Sequence, residues 1–76
     1  MTIKPEEIDL RFTYHAPNDN QVERRGELRT FCHSLASLIC ASTPAGREQS
    51  IALLKLEECN MFANAAIARR EDDTPY

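Results

Sequence analysis

Two rings and two arginines in the first half of the chain are residue types that bind nucleotides. Tyr14 and His15 are adjacent, and both offer ring faces on which a base can stack. Arg25 and Arg29 lie four residues apart, so on a helix they share one face and reach one anion together. Guanidinium forks suit phosphate oxygens. This combination predicts a site for a compact nucleotide.

The same residues also have a purely structural interpretation. A tyrosine ahead of a helix often packs against its first turn, and surface arginines often pair with carboxylates at helical spacing, here Glu23 or Glu27. Adjacent side chains in an extended or turn segment point in roughly opposite directions, so one ring can face a ligand while the other faces the protein. The residues alone leave both interpretations open.

Catalytic patterns are missing from the sequence. It contains no nucleophile elbow, P-loop, His-Glu-x-x-His or dinucleotide glycine pattern, and its two glycines cannot build a phosphate-cradling loop. Glu57 and Glu58 are adjacent, so on a helix their carboxylates diverge. We therefore expect neither an enzyme nor a cofactor.

The three cysteines do not indicate a disulfide framework or a metal site. Cys32, Cys40 and Cys59 are odd in number and show no Cys-x-x-Cys spacing. We expect them to be small, buried apolar side chains.

Length and charge limit the classes of partner. The 76 residues fit one domain, numbered 1–76, and no apolar run approaches the roughly 20 residues that span a bilayer. The N-terminus lacks a secretory pattern, so we expect a cytoplasmic protein without a membrane partner. The net charge of −3 belongs to the two ends, including the acidic tail 71–76, and residues 10–70 carry a balance of +2. No dense basic stripe indicates binding to long nucleic acid.

The hydrophobic pattern predicts an all-α fold. Asn18 with Gln21 has the form of a capping box, Asp19 is an alternative cap, and a helix should run from about 19 to 41. The segment "STPAG" predicts a turn, and a second helix should run from 46 or 47 to about 70. The N-terminal stretch, Pro5 to Leu10, is predicted to form a helical turn.

Apolar residues cover more of the second helix than one partner helix can bury. The first helix carries one apolar line and a second, adjoining line: Leu28, Phe31, Leu35 and Leu38, then Cys32, Ala36 and Ile39. The second helix is apolar around much of its girth between 51 and 68, and one partner helix covers only one stripe. We therefore predict an antiparallel two-helix hairpin that assembles into a homo-oligomer.

Ordered motifs over about residues 12–70 resemble one family of short phage proteins. The motifs are "FTYHAP", the turn "TPAGRE", and "KLEECNMFANAAIAR", which ends at Arg69. They are similar to the anti-CBASS cyclic-oligonucleotide sponges, which share a hairpin domain with a Thoeris anti-defence sponge. The departures are Cys59 for a small residue, Phe62 for Trp and Gly46 for Ser, and all three are structural in character.

The resemblance implies sequestration without chemistry. Such sponges bind the cyclic nucleotide messengers of bacterial immunity and hold them intact in the cytoplasm of the infected host. It implies hexamers, as trimers of interlocked dimers, with pockets between subunits. By position, Tyr14 would stack on a base of a cyclic dinucleotide, and Arg29, with Arg25 as the alternative, would meet a phosphate. Arg69, or else Arg70, would serve a second site for cyclic trinucleotides.

Two other functions stay open at this point. The same fold would serve for the cyclic ADP-ribose isomers of Thoeris signalling. Alternatively, the chain is a structural or protein-binding helical hairpin in which the rings and arginines serve packing alone.

Overall fold

Three helices make up the computed structural model, which describes residues 2–70. They are α1 (Pro5–Phe12), α2 (Asp19–Ser42) and α3 (Arg47–Arg70). The predicted bounds of the two long helices are confirmed to within a residue or two, and the described residues are all-α as predicted. The acidic tail predicted at 71–76 lies outside the described residues.

The start of α2 is fixed by the predicted capping box. The Gln21 backbone N–H donates to Asn18 Oδ1 at 2.8 Å, and the Asn18 backbone N–H donates to Gln21 Oε1 at 3.0 Å. Two N–H groups that lack partners inside the helix are thereby satisfied. Asp19, the alternative cap, is instead the first residue of the helix.

The turn between α2 and α3 follows from its residue types. Thr43 is extended, as the residue before a proline tends to be, and both its backbone N–H and its hydroxyl donate to the Ile39 carbonyl. Pro44 has no N–H with which to continue the helix. The Gly46 carbonyl then accepts the Ser50 N–H at 3.1 Å and begins α3. The short turn makes α2 and α3 antiparallel neighbours.

The adjoining line of α2, rather than its main apolar line, faces α3. Cys32 and Ala36 are half-buried and share a groove with Leu53 and Leu56 of α3. Three residues of the main line remain exposed, by 75% for Phe31, 45% for Leu35 and 59% for Leu38. Only its first residue, Leu28, is half-buried, where it lines a groove with Ile67 of α3.

A single chain buries almost nothing. Among residues 2–70 the one buried side chain is polar, Gln21, and no hydrophobic side chain is buried. Twelve large hydrophobic residues of this range are exposed, among them Phe12, Met61 and Phe62. The surplus apolar surface predicted from the sequence is therefore present.

The prediction of buried cysteines is wrong for the single chain. Cys32 is half-buried, whereas Cys40 and Cys59 are exposed, and all three thiols are free. No helix within residues 2–70 has the length and apolar character that crossing a bilayer needs.

Candidate nucleotide-binding site

Tyr14 and His15 point in different directions, as their adjacency predicts. The Tyr14 side chain is 84% exposed and makes no hydrogen bond with any described residue. His15 is half-buried, and its Nε2 lies 2.8 Å from the Leu10 carbonyl oxygen, to which it donates. Of the two rings, Tyr14 is therefore the one available to a ligand, and His15 packs against the end of α1.

The segment that carries Tyr14 is held at both of its ends. The His15 ring ties it to α1 through the Leu10 carbonyl. Asn18 ties its other end to α2 through the capping box, and Pro17 restricts the backbone between them. An exposed ring on an anchored segment suits stacking, because less conformational freedom is lost when a ligand binds.

Arg25 and Arg29 are not paired with carboxylates of residues 2–70. Arg25 is half-buried, and its Nε is enclosed without a hydrogen-bond partner among the described residues. Arg29 is exposed, and its side chain runs along α2 beside Gly26. Its Nη2 would lie 3.8 Å from a Cβ atom placed on that glycine. The ion pairs with Glu23 or Glu27 that the structural interpretation requires are thus not formed. A guanidinium without a carboxylate partner is suited to an external anion.

Among residues 2–70, the Tyr14 ring lies apart from the groove that Arg29 lines. Arg29 lines an open groove of about 330 Å³ between α2 and α3, together with His33, Glu57 and Asn60 among others. Tyr14 is not among the lining residues of this groove. The combination of ring and Arg29 predicted from the sequence is therefore not found in this groove.

The two arginines at the end of α3 contact α1. Arg69 Nη2 donates to the Arg11 carbonyl at 3.3 Å, and Arg70 Nη2 donates to the Glu7 carboxylate at 2.8 Å. Arg11 Nε donates to the same Glu7 oxygen at 2.6 Å. The hydrogen bond from Arg70, and next that from Arg11, lower the pKa of Glu7 below its ordinary value.

Sequence reasoning missed this contact between α1 and α3. The spacing of Glu7 and Arg11 is a helical signal that was available. Nothing in the sequence signals the pairing of Glu7 with Arg70, which lies 63 positions away.

The family model described as the Acb2/Tad1 hairpin domain matches residues 4–68. The chain belongs to this family. Its members are the phage anti-CBASS and anti-Thoeris sponge proteins, which sequester cyclic nucleotide signals and are not known as enzymes. The resemblance found in the sequence is thereby confirmed. Neither a curated protein nor a solved structure gives a significant match.

Proposed function

We propose that this chain binds cyclic dinucleotide messengers in the cytoplasm of the infected bacterium and holds them intact, so that CBASS effectors are not activated. Membership in the sponge family carries the general function. The observation that supports the ligand class is the Tyr14 ring, which is exposed on a segment anchored at both ends. A ring of this kind stacks on a base of any identity, because every base has a π-face.

The pocket in this proposal lies between copies of the chain. Tyr14 of one copy stacks on a base, and Arg29, with Arg25 as the alternative, meets a phosphate. Neither guanidinium group is paired with a carboxylate among residues 2–70, which supports this assignment. The exposed apolar side chains are then buried between copies, and we propose a hexamer built as a trimer of dimers.

A second site, for cyclic trinucleotides, is proposed at Arg69, with Arg70 as the alternative. Both arginines lie at the end of α3 and contact α1, and Arg69 bonds to the Arg11 carbonyl, three residues ahead of Tyr14. The two sites should therefore be distinguished by which ligand loses more affinity. Arg69→Ala should weaken a cyclic trinucleotide more than a cyclic dinucleotide, and Tyr14→Ala should do the reverse.

Titration calorimetry with wild-type protein tests the ligand class directly. The panel contains cyclic di-AMP, cyclic di-GMP, cyclic GMP–AMP, a cyclic trinucleotide and cyclic ADP-ribose isomers. Binding of a cyclic dinucleotide is the expected result. Binding of cyclic ADP-ribose isomers alone would assign the chain to Thoeris signalling, which the family also includes.

Recovery of the ligand tests sequestration against catalysis. Ligand incubated with the protein and released by heat should elute unchanged on chromatography. Linear or hydrolysed nucleotide would show an active site.

A purely structural or protein-binding hairpin predicts a different outcome. A ligand that binds only the folded state raises thermal stability by mass action. No shift in melting temperature with any nucleotide of the panel would support the structural function and overturn the sponge proposal.

A further inference from the structure

Gln21 occupies a position that no other described residue has. It is 6% exposed and is the one buried side chain of residues 2–70. Its Oε1 accepts the Asn18 backbone N–H at 3.0 Å, and its Nε2 donates to the Ile67 carbonyl of α3 at 3.2 Å. One carboxamide thus caps α2 and bonds to the last turn of α3. This bond satisfies the amide donor of a buried side chain and joins the start of α2 to α3.

The two hydrogen bonds require an amide at this position. The oxygen must face the Asn18 N–H, and the nitrogen must face the Ile67 carbonyl, which fixes the orientation of the carboxamide. Glutamate also serves at this position of capping boxes and would keep the first bond. An ionised carboxylate has no donor, however, and would bring an oxygen against the Ile67 oxygen. The cap alone therefore does not explain glutamine, whereas the bond to α3 does.

This bond also links the Tyr14 segment to the second helix of the hairpin. The segment is joined to α1 by His15 and to the start of α2 by Asn18. Gln21 extends this connection from Asn18 across to Ile67. Without it, the start of α2 and the segment ahead of it would lose a polar anchor on α3.

We propose that Gln21 is the positioning residue for the ligand-binding ring: its bond to Ile67 holds the Tyr14 segment in the one arrangement relative to α3 that binds the ligand. This inference rests on the proposed function. Apparent affinity falls in proportion to the fraction of molecules that hold the competent arrangement. A segment released from α3 and competent about one tenth of the time would bind roughly tenfold more weakly.

Gln21→Glu is the deciding variant, because it keeps the acceptor for Asn18 and removes the donor to Ile67. Two properties are measured at one protein concentration: exchange of the hydrogen-bonded amides of Asn18, Gln21 and Val22 without ligand, and calorimetric affinity for cyclic GMP–AMP. We expect faster exchange of these three amides and roughly tenfold weaker binding, with helix content and oligomer mass unchanged. Gln49→Glu is the matched control, because Gln49 Nε2 donates to the Thr43 carbonyl at the opposite end of the hairpin.

Protonation supplies a specific rescue. A protonated carboxyl has one donor and one acceptor, like the carboxamide it replaces. Burial raises the pKa of such a group, so mildly acidic buffer should restore wild-type protection in Gln21→Glu, once the exchange rates of both proteins are corrected for the pH dependence of unprotected amides. A merely structural role through volume and packing would not produce this rescue.

The outcomes separate this inference from the proposed function. Wild-type exchange and wild-type affinity in Gln21→Glu would overturn the positioning role. Faster exchange in the variant, combined with a wild-type protein that binds no cyclic nucleotide, would instead overturn the proposed function alone. If Gln21→Glu does not fold near neutral pH, Gln21→Met, which is uncharged and similar in length but has no donor, is measured in the same way.

Discussion

Two regions of the hairpin are stabilised in opposite ways. One is the open end, where α1 and the start of α2 meet the last turn of α3, and the other is the apolar flanks, the exposed apolar sides of α2 and α3. At the open end, polar groups distant in sequence are satisfied within one chain: Gln21 bonds to Ile67, and Arg70 bonds to Glu7. On the flanks, Phe31 and Phe62 remain 75% and 67% exposed. A single chain therefore satisfies the polar groups at its open end. It does not bury the apolar side chains of its flanks.

This contrast shows which contacts decide the shape of the chain and which decide its stability. Hydrogen bonds have strict geometry, so those at the open end fix where α1 and the Tyr14 segment lie. Their net contribution to stability is modest, about 1 kcal/mol each. Apolar burial is the dominant favourable term in folding, and a chain of this size supplies little of it alone. We expect the missing burial to come from further copies of the same chain.

The largest expected effect follows from placing a charge on the apolar flank. Phe62→Asp should dissociate the assembly, because an unpaired carboxylate buried between copies is costly. Light scattering at micromolar concentration should give a multiple of the 8.6 kDa monomer mass for wild type and a lower mass for the variant. Ser50→Asp places the same charge on an exposed polar position of α3 and should leave the mass unchanged. If light scattering gives the monomer mass for wild type, copies do not bury the apolar flanks, and the contrast between the flanks and the open end does not hold.

The next largest effect concerns the ring at the open end. Tyr14→Ala should weaken cyclic dinucleotide binding by roughly tenfold to a hundredfold, since stacking on an aromatic ring contributes about 1 to 3 kcal/mol. Tyr14→Phe keeps the ring face and should bind nearly as wild type. We expect the oligomer mass to stay unchanged in either variant, because the proposal assigns this ring to the ligand and not to the contact between copies. If Tyr14→Ala binds as wild type in calorimetry, the segment is only a packed start of α2.

The sequence predicted local structure better than it predicted contacts between helices. The cap at Asn18 and the turn at Pro44 depend on neighbours within a few residues, and the sequence displays such signals directly. The half-buried stripe of α2 depends on how it meets α3, and the apolar pattern offered two candidate lines. The bond of Gln21 to Ile67 spans 46 positions and has no local signature.

In the candidate site, too, the sequence predicted local features better than the distances between elements. Adjacency predicted that Tyr14 and His15 would point apart, and the exposed Tyr14 ring and the His15 bond to Leu10 agree with it. The position of Arg29 relative to Tyr14 depends on the arrangement of copies, which no intrachain pattern specifies. Its role at a phosphate stays a prediction.

Arginine substitutions should have an effect similar to or smaller than the loss of the ring. Arg29→Ala removes a charge-assisted phosphate contact, which is typically worth about 1.5 to 3 kcal/mol before solvent screening reduces it at an exposed site. Its loss should also flatten the dependence of affinity on salt. Arg47→Ala makes the same change of charge beside the turn and is the control. If Arg25→Ala weakens binding and Arg29→Ala does not, Arg25 is the phosphate ligand.

The smallest effect should come from the carboxylate that joins α1 to α3. Arg70 and Arg11 lower the pKa of Glu7 in the folded protein, so the ionised form is favoured by folding. This stabilisation is fully present above the unfolded pKa of about 4.3 and is lost as the pH falls through the lower folded value. Glu7→Gln should therefore lower the urea midpoint slightly at pH 7, and the difference from wild type should vanish in strong acid. Both proteins must be compared at one concentration, because assembly also shifts the midpoint.

Glu6→Gln controls for the charge in the first turn of α1, since Glu6 is exposed and has no ion pair among residues 2–70. Equal midpoints for Glu7→Gln and Glu6→Gln at pH 7 would mean that solvent screening cancels the contact, and that α1 is held by His15 and Arg69 without help from Glu7.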